Sequence, residues 1–175
     1  FIGDRAKLHD IVITGVDQSI FLSERKVAEH VLFESGRPVV IVPAHSGATF
    51  ACRRVMVAWD HSRTAARALH DALPFLQLTE EVMLVAVGGE KRFQTSCDHE
   101  VIETALAQKG LKARFEQIHL GETSIGQALQ DHALQGGADL LVMGAFGHSR
   151  LREFILGGAT REVLEDPQLP VLMSH

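Results

Sequence analysis

Four glycines near the end of the chain are spaced to hold an anion: Gly144, Gly147, Gly157 and Gly158. Gly144 closes a run, Asp139 to Met143, that reads as a buried parallel strand. The segment after Gly158, Ala159 to Leu164, reads as the start of a helix. A strand, a glycine loop and a helix N-terminus together suit phosphate. Glycine lets backbone N–H groups close on the anion, and the helix end adds partial positive charge. Within the loop, His148 can hydrogen-bond a phosphate and Arg150 can neutralise one, although exposed arginines are commonly just solvated. Thr160, in the first turn of the helix, can meet a terminal phosphate or cap the helix.

A nucleoside needs a second wall. Asp60 follows the apolar run Arg53–Trp59 and can accept hydrogen bonds from a ribose or a base edge. It can equally cap a helix beginning near Ser62. Val57 and Ala58 beside it, and Val87 at the end of the next apolar run, can pack on a base plane or simply serve the core.

Other chemistries lack their residues. The ten histidines are scattered without an HxxxH or HExxH pair, so no metal site is expected. GxSxG is absent, which removes the nucleophile elbow. No GxxxxGK[ST] occurs, so the lysine and hydroxyl that grip a γ-phosphate and Mg²⁺ are missing and fast ATP hydrolysis is not expected. The formal net charge of −5 gives no basic footprint for nucleic acid. Two cysteines, Cys52 and Cys97, stand far apart, as in a reducing compartment, and a cytoplasmic location is expected. No apolar run has the length of a membrane span.

The elements that must position these residues alternate from Arg53 onward. Strands are expected at Arg53–Trp59, Glu81–Val87, Lys112–Leu120, Asp139–Met143 and Pro170–Met173. Helices are expected after Ser62 through TAARALHDALPFL, from a Thr95 or Ser96 cap through VIETALAQK, over Thr123–Leu134, and after Gly158. Five strands with four crossovers give an α/β fold with a doubly wound five-stranded parallel sheet in the order 3-2-1-4-5. Its ligand crevice lies where strands one and four part, beside the glycine loop.

The opening residues repeat the closing ones. HDIVITG (His9–Gly15) reads like ADLLVMG (Ala138–Gly144), and AEHVLFESGRPVV (Ala28–Val40) overlays TREVLEDPQLPVL (Thr160–Leu172) without a gap. Residues 1–50 are therefore expected to be a partial β-α-β repeat, the C-terminal remnant of a first domain, ahead of a complete domain over 51–175. VDQSIFLSERK, between the two matching blocks, has none of the later glycines, so the first copy is not expected to bind what the second binds. Val39–Val42 and Val171–Met173 occupy the same position in the two copies and are expected to pair antiparallel, within one chain or across a dimer.

MGAFGHSRLREFILGGAT resembles the ATP-binding signature of the universal stress protein family, G-x-x-G-x9-G-[ST], with Gly144, Gly147 and Gly157 matching. Gly158 departs from the signature's hydroxyl residue, and Thr160 supplies a hydroxyl two positions on. VMVAWDHS resembles that family's first strand and aspartate, and PVLM its last strand. The resemblance covers Arg53 to His175, with the end of a second copy in residues 1–50. It implies a five-stranded α/β domain that binds ATP or AMP, with or without Mg²⁺, in a stress response, and that forms a homo-oligomer through terminal edge strands. The expected function is a nucleotide-binding regulator without robust catalysis. The rivals are a ligand-free interaction scaffold and a slow nucleotide hydrolase with no identifiable base.

Overall fold

Strands form on short, mostly apolar runs with polar residues confined to their ends: RVMVA, EVMLVAVG, LLVMG and VLMS are buried over most of their length. The computed structural model describes residues 1–16, 21–43, 51–88, 99–145 and 158–175. In chain order the elements are α1 (Ile2–Ala6), β1 (Val12–Val16), α2 (Phe21–Glu34), β2 (Val39–Pro43), β3 (Arg54–Ala58), α3 (Arg63–Asp71), α4 (Leu73–Leu76), β4 (Glu81–Gly88), α5 (His99–Ala107), β5 (Ala113–His119), α6 (Ile125–Gln135), β6 (Leu140–Gly144), α7 (Gly158–Glu165) and β7 (Val171–Ser174).

The expected sheet of five strands is a sheet of seven, in the order β1-β2-β7-β6-β3-β4-β5. The partial repeat is not an appendage. Its two strands extend the same sheet beyond β7. Every neighbouring pair is parallel except β2 and β7, which run antiparallel with Val39 opposite Met173, Val40 opposite Leu172 and Ile41 opposite Val171. The expected antiparallel pairing thus occurs inside one chain. β2 and β7 lie inside the sheet and are not edges, so the expected oligomer through terminal edge strands loses the free edges it required.

Alternation along the strands divides the core in two. Met56, Met83, Leu141, Val171 and Met173 face the side covered by α2, α6 and α7, with Leu32, Leu129 and Leu164 packed against them. Val55, Val57, Leu84, Leu140, Val142 and Leu172 face Ala68, Ala72 and Leu76 of α3 and α4 and Ile102 and Leu106 of α5. A period of two in the strands and helices on both faces is the doubly wound arrangement.

Local chemistry sets the helix limits. Ser62 caps α3 by accepting the Ala65 N–H at 3.0 Å, and Ser124 caps α6 by accepting the Gln127 N–H at 3.3 Å. The helix expected to run on through LPFL instead breaks at Ala72. Pro74 has no N–H to give and takes the first turn of the short α4, where none is needed. The Thr95 or Ser96 cap lies outside the described residues. α1 is a single turn with no counterpart in the sequence expectations.

Candidate functional site

The sheet reverses its winding between β3 and β6. From β3 the chain proceeds through β4 to β5 on one side; β6 and β7 lie on the other. In an open α/β sheet this is where a crevice opens beyond the strand C-termini. The residues ending β3 and β6 are those the sequence singled out.

At the end of β6, Gly144 is a packing requirement. A Cβ there would lie 2.5 Å from the Ala65 backbone N and 2.5 Å from the Thr64 carbonyl carbon. Any side chain would collide with main chain, which cannot swing aside. The missing Cβ lets the first turn of α3 settle directly on the end of β6. The N-terminus of a capped helix and the end of the glycine strand therefore meet at the crevice. Immediately beyond, Ala145 is buried and donates its N–H to Ser174 O at 2.8 Å.

At the end of β3, Trp59 N–H still pairs with Val85 O at 2.8 Å. Asp60 then turns the chain: its Oδ1 accepts the Ser62 N–H at 2.9 Å. The aspartate builds the turn that delivers the cap, while Ser62 itself caps the helix. Between them His61 takes a left-handed backbone, φ 59°, which is uncommon outside glycine though tolerated by histidine. Trp59 Nε1–H donates to His61 Nδ1 at 3.2 Å, and the rings meet edge to face with centroids 5.7 Å apart. Donation into Nδ1 leaves any proton of the neutral ring on Nε2. Sequence inspection missed Trp59 and His61. Their only signal was their position, flanking the aspartate.

Of the other sequence-predicted residues, Val57 is fully buried in the core and presents no surface to a base. Ala58 and Val87 are half-buried at the ends of β3 and β4 and are open to contact. Gly158 opens α7 and is exposed, and a Cβ added there would meet nothing within 4 Å among the described residues. Thr160 is 3% exposed in the first turn of α7. Gly147, His148, Arg150 and Gly157 lie outside the described residues.

A cavity of about 370 Å³ opens elsewhere, at the other end of the strands, lined by Arg54, Glu80, Glu81, Lys112, Ala113 and Arg114. Its arginines are matched: Arg114 Nε lies 2.7 Å from Glu81 Oε1, and Arg54 Nε 3.8 Å from Glu81 Oε2. That is a solvated ion-pair cluster, with the wrong end of the strands facing it for the crevice rule. Cys52 is half-buried, and burial, with the Asp139 carboxylate nearby, pushes its thiol up from the ordinary value, away from the reactive thiolate. Among the described residues no group of three His, Cys, Asp or Glu side chains is placed to hold a metal. No helix among them is long and apolar enough to cross a membrane.

Comparison with known proteins bears on this geometry. The model of the universal stress protein family matches residues 51–175. A universal stress protein from Synechocystis sp., Slr1230, is 28% identical over 147 residues, which is 82% of this chain and 49% of that protein. The chain thus spans about half the length of this curated relative. A universal stress protein from Archaeoglobus fulgidus shares the fold with a TM-score of 0.77 at 21% identity, over 98% of this chain and 64% of that one. A universal stress protein solved in complex with cAMP also shares the fold, with a TM-score of 0.53 at 18% identity, over 70% of this chain and 97% of that one.

Proposed function

The chain belongs to the universal stress protein family, and we propose that its residues 51–175 bind an adenine nucleotide, ATP or AMP, as a regulatory module without robust catalysis. The observation that carries this reading is Gly144. Its missing side chain brings the capped N-terminus of α3 onto the end of β6, at the point where the sheet reverses. A solved universal stress protein in complex with cAMP supports adenine as the base.

In this reading Ala58 and Val87 flank the base, with Val57 behind them in the core, and the Asp60 carboxylate faces the ribose. His61, tied by Trp59 through Nδ1, stands beside it with Nε2 as a donor. Gly147, Gly157, Gly158 and the first turn of α7 receive the phosphates, with His148 and Arg150 in the same loop; Mg²⁺, if bound with the nucleotide, would offset phosphate charge. The open space at Gly158 and the buried Thr160 fit a loop that approaches the ligand through backbone rather than side chain. Residues 1–50 are, in the same reading, the end of a first domain of this kind, and the setting is a cytoplasmic stress response.

Calorimetric titration with ATP, ADP and AMP, with and without Mg²⁺, tests the proposal. Saturable binding by the parent, lost in Gly147→Val with an unchanged unfolding curve, is the expected result. Equal affinity in parent and variant removes the phosphate role. Phosphate release should stay far below the roughly 1–100 s⁻¹ of kinase-type transfer. Turnover in that range, abolished by Gly147→Val, would replace the regulatory reading with an enzymatic one.

A further inference from the structure

α6 and α7 are tied to each other by hydrogen bonds that repeat one turn apart. Glu162 Oε2 accepts the Gly126 N–H at 3.0 Å. One turn on, the buried Gln130 donates its Nε2–H to Asp166 O at 3.2 Å and accepts the Gln168 N–H on Oε1 at 2.8 Å. Residues 36 apart meet at both turns, so the helices run parallel and in register. Gly126 lets them close. A Cβ there would lie 2.6 Å from Glu162 Oε2, 2.8 Å from Glu162 Cβ and 3.0 Å from Ala159 O. The carboxylate tip can swing aside, but the Ala159 carbonyl is main chain and cannot.

The start of α6 has more donors than its own cap serves. The Ser124 Oγ accepts the Gln127 N–H at 3.3 Å, and the Ser124 carbonyl accepts the Ala128 N–H at 2.9 Å. The Gly126 N–H is left over, as the first amides of a helix are, and a carboxylate from the next helix takes it. The bond is charge-assisted, and the dipole of α6 favours a negative group at this end. Behind its first turn, α7 buries Val163 and Leu164 in the core. Its leading end is open instead: Gly158 is exposed and has nothing near its Cβ position among the described residues. The turn is thus gripped from behind and bare in front.

We propose that Glu162 is a positioning residue for the nucleotide's phosphates: by its bond to the Gly126 N–H it fixes the first turn of α7, whose backbone amides receive them. The inference rests on the nucleotide reading above and adds to it a residue that acts through the backbone of another element. Main-chain donors converge on a phosphate only when their turn is already ordered, and a turn that must be ordered on binding loses affinity by that entropy. This turn opens with a glycine, which has the most freedom to lose. The grip of α6 removes that freedom before the ligand arrives. Gly126 belongs to the same device, since any side chain there would press Ala159, the second residue of α7, out of place.

Calorimetry of the whole chain with ATP, AMP and adenosine tests this. Glu162→Ala should weaken ATP and AMP about tenfold, as loss of one charge-assisted hydrogen bond implies. Adenosine, which carries no phosphate, should bind the variant as it binds the parent. Glu162→Gln, whose Oε1 accepts the same N–H, should restore most of the affinity for ATP. A loss that extends equally to adenosine overturns the proposal, as does a loss that Glu162→Gln does not restore. Tighter ATP binding by both variants overturns it too, since the carboxylate would then act only as a repelling charge. Should Glu162→Ala fail to fold, hydrogen exchange in the parent decides: bound ATP should slow the Gly126 amide and bound adenosine should not. A Gly126 amide indifferent to ATP counts against the device. A parent that binds no adenine nucleotide removes the nucleotide reading and this proposal with it. A parent and a Glu162→Ala variant that bind ATP equally remove this proposal alone.

Discussion

The α1–β1–α2–β2 half and the α6–β6–α7–β7 half repeat the same strand pairing with opposite outcomes. Val31 and Leu32 are as deeply buried as Val163 and Leu164, and the strand pairings repeat residue for residue. The difference lies in what stands on the far side of the first strand. β6 has β3 and the first turn of α3 against it; β1 has neither. Sites of this architecture are made by the neighbour, not by the strand: Gly144 matters because Thr64 and Ala65 press on it, whereas Gly15 is exposed and, among the described residues, has only Val42 O near, at 3.9 Å. In the following helix, Thr160 in the first turn of α7 stands where the first half has Ala28, midway along α2, both nearly inaccessible. The first half kept the packing and lost the hydroxyl.

The sharpest test is to add one methyl group to each half. Gly144→Ala should destabilise the chain by about 2–3 kcal/mol, since the Cβ meets main chain on both sides. Gly15→Ala should stay within about 0.5 kcal/mol. Urea unfolding of the two variants checks this, and similar losses would erase the distinction.

The aspartates offer a second contrast. Asp139→Ala should cost about 1–2 kcal/mol, because two strand-opening amides lose a charged acceptor. Asp10→Ala should leave the stability of the isolated chain unchanged. Denaturation midpoints measured side by side decide it.

A smaller effect is expected at Gly158. Serine there meets no neighbour among the described residues, replaces a glycine in the first turn of α7, and places a hydroxyl beside the loop proposed to hold phosphate. Stability should rise by about 0.5 kcal/mol, with nucleotide affinity equal or higher; weaker binding would show that the backbone of Gly158 needs its freedom.

The slightest is at Cys52. With its thiol pushed up, the thiolate becomes abundant only at a pH above that of an ordinary cysteine. Alkylation at mildly alkaline pH, mapped by mass spectrometry, should therefore run slower at Cys52 than in an unfolded control peptide.

How much of this could be read from the sequence depends on how local the cause is. The Ser62 cap and the five strands of residues 51–175 are written in neighbouring residues, and so were legible. The break at Ala72 was legible too, in Pro74, but the apolar period through LPFL outweighed it. α1 is one turn and carries no period to detect. The joining of the repeat into a seven-stranded sheet depends on β2 meeting β7 across most of the chain. The sequence showed that the two strands match, but placed them at the edges. The sequence suggests Gly144 as a phosphate glycine; that it is a packing glycine depends on Thr64 and Ala65, about eighty residues earlier in the chain. The collapse of Val57 into the core follows from the same contact, since α3 closes over the face on which Val57 lies.

The antiparallel seam has a consequence for the order in which the chain assembles. Its paired residues are 130 to 134 positions apart, whereas the β1–β2, β3–β4, β4–β5 and β6–β7 pairs join residues 27 to 31 apart. Closing the longer loop costs about 1.3 kcal/mol more in chain entropy, and contacts of such separation form slowly. The seam should therefore close last, as a zip between two halves that are already shaped, and open first under denaturant. Stopped-flow refolding of Val40→Ala should show an almost unchanged folding rate and faster unfolding, whereas Leu141→Ala should slow folding itself.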